Sequence, residues 1–167
     1  MILINNSRFS TLFRFFFISL IVFMSLRIWL IFISWNEISQ ESIATVLSTL
    51  LIGLFYDSAF TFYICTPIII LLTMASSHSE KSLTFNFLHK CVFITMLFIL
   101  YLTVAAELIF WGEFSTRFNF ISVDYLIYSH EVSQNILESY SVNKIIAIVL
   151  LFVLATYSLT HKQKHTN

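Results

Sequence analysis

The sequence predicts an all-α integral membrane protein: about four transmembrane helices, an interfacial helix before the second span, and an amphipathic extracytoplasmic helix between the third and fourth. Three observations predict it. The mean hydropathy is +0.86. Of 167 residues, 58% are hydrophobic and 11% charged, whereas roughly a quarter of a soluble domain is charged. The apolar residues also fall in blocks that match the about 20 helical residues needed to cross about 30 Å of hydrocarbon. Only two glycines and one proline interrupt the chain, so the blocks have few places to break.

The first block, residues 9–35, follows a basic start, as a secretory signal does. Its apolar run far exceeds a signal's core of about 7 to 15 residues, and no small-residue cleavage site follows. It is therefore expected to be a retained span. Arg14 lies near its inner end, within reach of lipid phosphates. Arg27 lies roughly 12 Å inside Trp35 at 1.5 Å per residue, a depth at which a lone charge is costly.

The next apolar block, residues 42–74, would make a helix of roughly 50 Å. That is too long for one span, so it is expected to divide. Residues 43–56 put Ser42, Thr45, Ser48, Thr49, Gly53 and Tyr56 on a weakly polar face, which suits a helix in the outer interface. Asp57 then opens the second span, 58–74, and Pro67 should kink it near Tyr63. A short polar loop leads to the third span, 91–111, apolar except for Glu107 and closed by an interfacial Trp111. The fourth span is expected at 144–160, before a hydrophilic tail.

Between the last two spans lies the stretch on which the rest is organised, residues 112–143 together with Glu107. Five of the nine acidic residues fall within residues 107–140. Glu113 and Arg117 are four apart and could pair on a helical turn, although such a pair contributes only about 0.3 to 0.5 kcal/mol. Their aromatic neighbours Phe110, Trp111, Phe114, Phe118 and Phe120 would lay that turn against the membrane surface. A helix is expected from Ser122, with Asp124 in its first turn, where a negative charge meets the positive end of the helix dipole. Asp124, Glu131 and Glu138 recur every seventh residue and so share one slowly drifting ridge. The ridge either recruits a cation or a basic surface, or is a solvated face that keeps the helix oriented.

Charge placement sets the orientation. Arg8, Arg14, Lys81, Lys90, Lys162 and Lys164 flank the spans on one side, and Arg117 and Lys144 on the other, with Arg27 nearer the latter. The positive-inside rule then predicts cytoplasmic termini and a periplasmic platform at 112–143. Arg27, Asp57 and Glu107 all fall in the outer half of the bundle, and Arg27 is expected to pair with Asp57 or Glu107.

Other classes are excluded or weakened. Nine basic and nine acidic residues cancel, and no basic stripe suggests a nucleic-acid partner. Cys65 and Cys91 lie in apolar runs without CxxC or metal-ligand spacing and read as small buried side chains. His130 beside Glu131 is more simply a hydrogen-bonded side chain than a ligand. No HExxH motif or nucleophile elbow occurs, so no catalytic, cofactor-binding or metal-ligating residue is assigned. Four spans with few polar residues offer a transporter little pathway.

The segment EFSTRFNFISVDYLIYSHEV, residues 113–132, resembles a hallmark of the N-terminal membrane domain of lipoteichoic acid synthase-like phosphoglycerol transferases, members of the sulfatase superfamily. GLFYDSAF, residues 53–60, followed by Pro67, is similar to a second landmark of that group. Departures are Phe55, where many relatives carry a basic residue, and Ser141, where a proline often follows. The resemblance implies five spans and an extracytoplasmic α/β catalytic domain, with a threonine nucleophile and a divalent metal, commonly manganese, that moves phosphoglycerol from a lipid donor. None of that half is expected in this chain, which is then a truncated product, one half of a split gene, or an isolated domain.

On that resemblance the chain is expected to be a membrane-anchoring module of the bacterial inner membrane, inactive alone. It would contact phosphatidylglycerol-type lipid and a sulfatase-like catalytic domain in cis or in trans. Glu113, Arg117, Asn119, Asp124, Tyr125 and Glu131 are the candidates for domain or headgroup contact. The alternative is a standalone, non-enzymatic membrane protein that binds a partner through its acidic helix.

Overall fold

A computed structural model describes residues 7–74, 82–117, 134 and 137–162. Among them the regular structure is helical: α1 Ser7–Ile33, α2 Trp35–Ile38, α3 Ile43–Met74, α4 Leu83–Phe114 and α5 Val142–Lys162. Four helices, α1, α3, α4 and α5, are long and apolar enough to cross a membrane, so the chain reads as a multi-pass membrane protein. The chain divides into two units, Met1–Phe93 and Ile94–Asn167, with the boundary inside α4.

In the first unit α1 and α3 pack side by side. Ser19 meets Thr61, Phe16 meets Phe62 with ring centroids 4.7 Å apart, and Phe23 meets Phe60 at 5.9 Å. Numbers that rise along α1 fall along α3, so the pair is antiparallel. Leu12, Phe15, Ser19, Phe23, Leu26 and Leu30 supply the buried stripe of α1, at the three- and four-residue spacings of one helix face. The other faces of α1 are just as apolar, with Phe13, Phe17, Ile21, Ile28 and Phe32 exposed. A helix apolar all the way round belongs in lipid. α1 gives way at Ser34, whose ψ of 19° carries it into the single turn of α2.

The sequence suggested a division between an interfacial helix at 43–56 and a span at 58–74, and that division does not occur. α3 is one helix of 32 residues, Ile43–Met74. Two local features explain the continuity. Ser42 caps the helix, its Oγ accepting the Thr45 N–H at 3.3 Å. Two hydroxyls of the expected polar face are satisfied within the helix, Ser48 and Thr49 donating to the Thr45 carbonyl, and beyond that face Ser58 donates to that of Leu54. A hydroxyl bonded to its own helix makes little demand on water. α3 also passes through Pro67 without ending.

α4 begins after Ser82, whose carbonyl accepts the Asn86 N–H at 3.2 Å. It is eleven residues longer than the 91–111 expected, at 32 residues against 21. It stops at Ser115, which takes a φ of 51° while its N–H bonds the Trp111 carbonyl at 2.8 Å. A left-handed residue just past the last turn is a common helix stop, and a side chain there costs about 1 kcal/mol relative to glycine. In the second unit the remainder of α4 runs antiparallel to α5. The Tyr101 hydroxyl lies 2.6 Å from Thr156 Oγ1, and its ring 5.5 Å from Phe152.

Candidate functional site

Two charged clusters stand out, one in each unit. In the first, Arg27 reaches from α1 to α3. Its Nε donates to Asp57 Oδ2 at 2.8 Å and its Nη2 to Oδ1 at 2.7 Å, so the carboxylate is held by both oxygens. Nη2 also donates to the Gly53 carbonyl at 3.0 Å. The two side chains are only 12% and 9% exposed, and parallel bidentate bonds of this kind are the strongest arrangement a guanidinium offers. Breaking a buried pair on one side only costs about 3 to 5 kcal/mol, because the other charge is stranded.

The glycine is part of this geometry. A Cβ on Gly53 would stand 2.2 Å from Arg27 Cζ and Nη1, so any side chain would expel the guanidinium from its place against the α3 backbone. One turn further on, Thr61 donates to the Asp57 carbonyl at 2.8 Å and lies 3.1 Å from Ser19 Oγ, which itself donates to the Phe16 carbonyl. Gly53, Asp57, Thr61 and Cys65, each four residues from the next, are all buried. They form a narrow stripe of small and polar residues, of the kind that lets membrane helices approach closely.

The second cluster closes the end of α4. Glu107 is buried, and its Oε1 accepts from Arg117 Nε across the reversal at Ser115. Six residues along the helix, Glu113 accepts a hydrogen bond from the Tyr140 hydroxyl, just before α5. This bond and the neighbouring negative charge push the Tyr140 phenol above its ordinary pKa, since both favour the neutral, donating form. The expected Glu113–Arg117 pair is therefore not formed. The helix ends between the two residues, and the turn at Ser115 sends Arg117 back to Glu107 instead.

The structure thus brings together Arg27 with Asp57, Glu107 with Arg117, and Glu113 with Tyr140. Asn119, Asp124, Tyr125 and Glu131, together with the helix expected from Ser122, lie outside the described residues. Sequence reasoning missed Gly53, Ser19, Thr61 and Tyr140 as working parts. The four-residue spacing of Gly53, Asp57 and Thr61 was a readable signal for Gly53 and Thr61. Nothing local marked Tyr140, whose partner is 27 residues away.

Chemically, the Arg27–Asp57 and Glu107–Arg117 pairings neutralise largely buried charges, while Glu113 with Tyr140 stays exposed. Both oxygens of Asp57 are occupied, and among the described residues no three His, Cys, Asp or Glu side chains group closely enough to hold a metal ion. What the arrangement does is fasten helices: α1 to α3, the turn after α4 back onto α4, and the start of α5 to the end of α4. Compared with family models, curated proteins and solved structures, the chain finds no match.

Proposed function

We propose that this chain is the membrane-anchoring module of a lipoteichoic acid synthase-like phosphoglycerol transferase, in the bacterial inner membrane with both termini cytoplasmic. It positions a sulfatase-like catalytic domain, supplied in cis or in trans, and a phosphatidylglycerol-type lipid donor at the outer leaflet. The nucleophile and a divalent metal, commonly manganese in such enzymes, belong to that domain. The motif resemblance at residues 53–60 and 113–132 is the origin of this reading.

The observation that carries it furthest is the double fastening at the end of α4. Arg117 is tied to Glu107, and Tyr140 to Glu113, so the two ends of the connecting stretch are each attached to the last turns of the same helix. A segment anchored at both ends on a membrane helix is suited to presenting contact residues at a constant height above the bilayer. In this reading Asn119, Asp124, Tyr125 and Glu131 bear the domain or headgroup contact.

The test has two arms. The chain expressed alone in membranes should neither hydrolyse phosphatidylglycerol nor transfer phosphoglycerol from it, and robust turnover would refute the assignment. Co-expressed with a sulfatase-like domain of the same host, it should co-purify, and reversing charge with Asp124→Lys and Glu131→Lys should abolish the association. Undiminished co-purification of the charge-reversed chain would remove those residues from the interface.

A further inference from the structure

The four candidate spans are not equally suited to lipid. α3 has Thr45, Ser48, Thr49 and Ser58 among its apolar residues. It also carries Asp57 in its interior, between Ile43 and Met74. A carboxylate near the centre of a span opposes insertion by more than several leucines favour it. α1 precedes α3 in the chain and carries Arg27.

These two liabilities cancel only in one place. Antiparallel packing sets Arg27 opposite both Gly53 and Asp57, with Ser19 opposite Thr61 two turns away. The guanidinium takes both carboxylate oxygens and a backbone carbonyl of α3, and none of its bonds goes elsewhere in α1. Oδ1 and Oδ2 are both engaged by Arg27 and Asp57 is buried, which favours a helix-pairing role over substrate contact.

We propose that Arg27 is the insertion partner of α3: α3 holds its membrane-crossing position because Asp57 is received by Arg27, and Gly53 is the positioning residue that gives the guanidinium room to do so. The pair is then a coupling between two spans, independent of whichever reaction the chain serves. The glycine's part is indirect. The atoms that a Cβ at position 53 would strike are the end of the Arg27 side chain, which can swing aside without moving either helix. What would be lost is the alignment with Asp57.

The experiment is site-directed labelling of the 167-residue chain in membrane vesicles. The two native thiols are removed by Cys65→Ala and Cys91→Ala, and Ser79→Cys places a single thiol in the segment between α3 and α4. A membrane-impermeant maleimide is applied from each face in turn. In this parent chain position 79 should react from one face only. Arg27→Leu or Asp57→Leu alone should raise the ratio of wrongly to correctly facing chains at least about tenfold, because each leaves one charge unpaired within the span. The double variant Arg27→Leu/Asp57→Leu, which buries no charge, should return to within about threefold of the parent.

Gly53→Ala should raise the same ratio in the parent and have no effect in the double-leucine chain, where there is no guanidinium to displace. Single variants that face like the parent, or a double variant as disordered in topology as either single one, would overturn the coupling. A Gly53→Ala chain that behaves like the parent, or is equally harmful in both backgrounds, would overturn the glycine's part.

Discussion

At the scale of single residues, the two members of the ion pair at the end of α4 differ in what their loss would leave behind. Glu107 is 5% exposed at its side chain and Arg117 28%, so Arg117→Gln strands a buried carboxylate, while Glu107→Gln leaves a guanidinium that can turn toward water. Arg117→Gln is expected to lower stability by about 3 kcal/mol and Glu107→Gln by about 1 kcal/mol, read as unfolding midpoints in detergent. Equal losses would contradict the burial asymmetry. Tyr140 gives a pH test. Its phenol is raised by the bond to Glu113, so that bond contributes fully below the ordinary tyrosine value of about 10 and is lost as pH rises through the higher folded value. Phenolate absorbance of the Glu113→Leu variant should therefore show one tyrosine titrating at lower pH than in the parent. The parent's stability advantage over Tyr140→Phe should hold to about pH 10 and vanish above it.

At the scale of elements, the two glycines separate helix propensity from packing. A Cβ on Gly53 would collide with Arg27, whereas one on Gly112 would meet nothing within 4 Å. Gly112 lies in the last turns of α4 without a left-handed φ, so Gly112→Ala should stabilise the chain by about 0.5 to 1 kcal/mol through backbone entropy alone. A destabilised Gly112→Ala variant, measured by thermal unfolding in the same detergent, would mean that something unseen occupies that space. Element lengths teach a related lesson. The sequence suggested a break in α3 because its run was too long and its first half weakly polar. The helix continues because Thr45, Leu54 and Asp57 offer carbonyls to hydroxyls on the following turn. Composition counts such hydroxyls as polar, although hydrogen bonding has already removed most of that polarity.

At the scale of the whole molecule, hydropathy and charge flanks predict an orientation in which Arg27, Asp57, Glu107 and the stretch after α4 all belong to the outer side. The absence of enzymatic turnover and the effect of charge reversal at Asp124 and Glu131 belong to this scale, since they ask what the membrane portion does as a unit. Within each unit the organisation repeats. A pair of antiparallel helices is fastened by a hydroxyl-to-hydroxyl contact, Ser19 with Thr61 and Tyr101 with Thr156, and among the described residues each unit holds an arginine–carboxylate pair. Hydrogen bonds between membrane helices contribute about 0.6 kcal/mol on average, so these contacts act on register more than on overall stability.

The number of long apolar helices and their approximate positions were decided by the sequence alone, because crossing lipid demands a run of apolar residues whose length is set by the bilayer and needs no partner to be recognised. That Arg27, Asp57 and Glu107 would need counter-charges was equally legible, since an ion in hydrocarbon is costly wherever it sits. Only the tertiary structure decided who those partners are. Arg27 has two carboxylates at plausible depth, and helix register, down to the missing Cβ of Gly53, assigns it to Asp57. The turn at Ser115 then leaves Arg117 for Glu107 and frees Glu113 for Tyr140. Pairing depends on rotation and offset between helices, quantities that a hydropathy pattern apolar on every side does not encode.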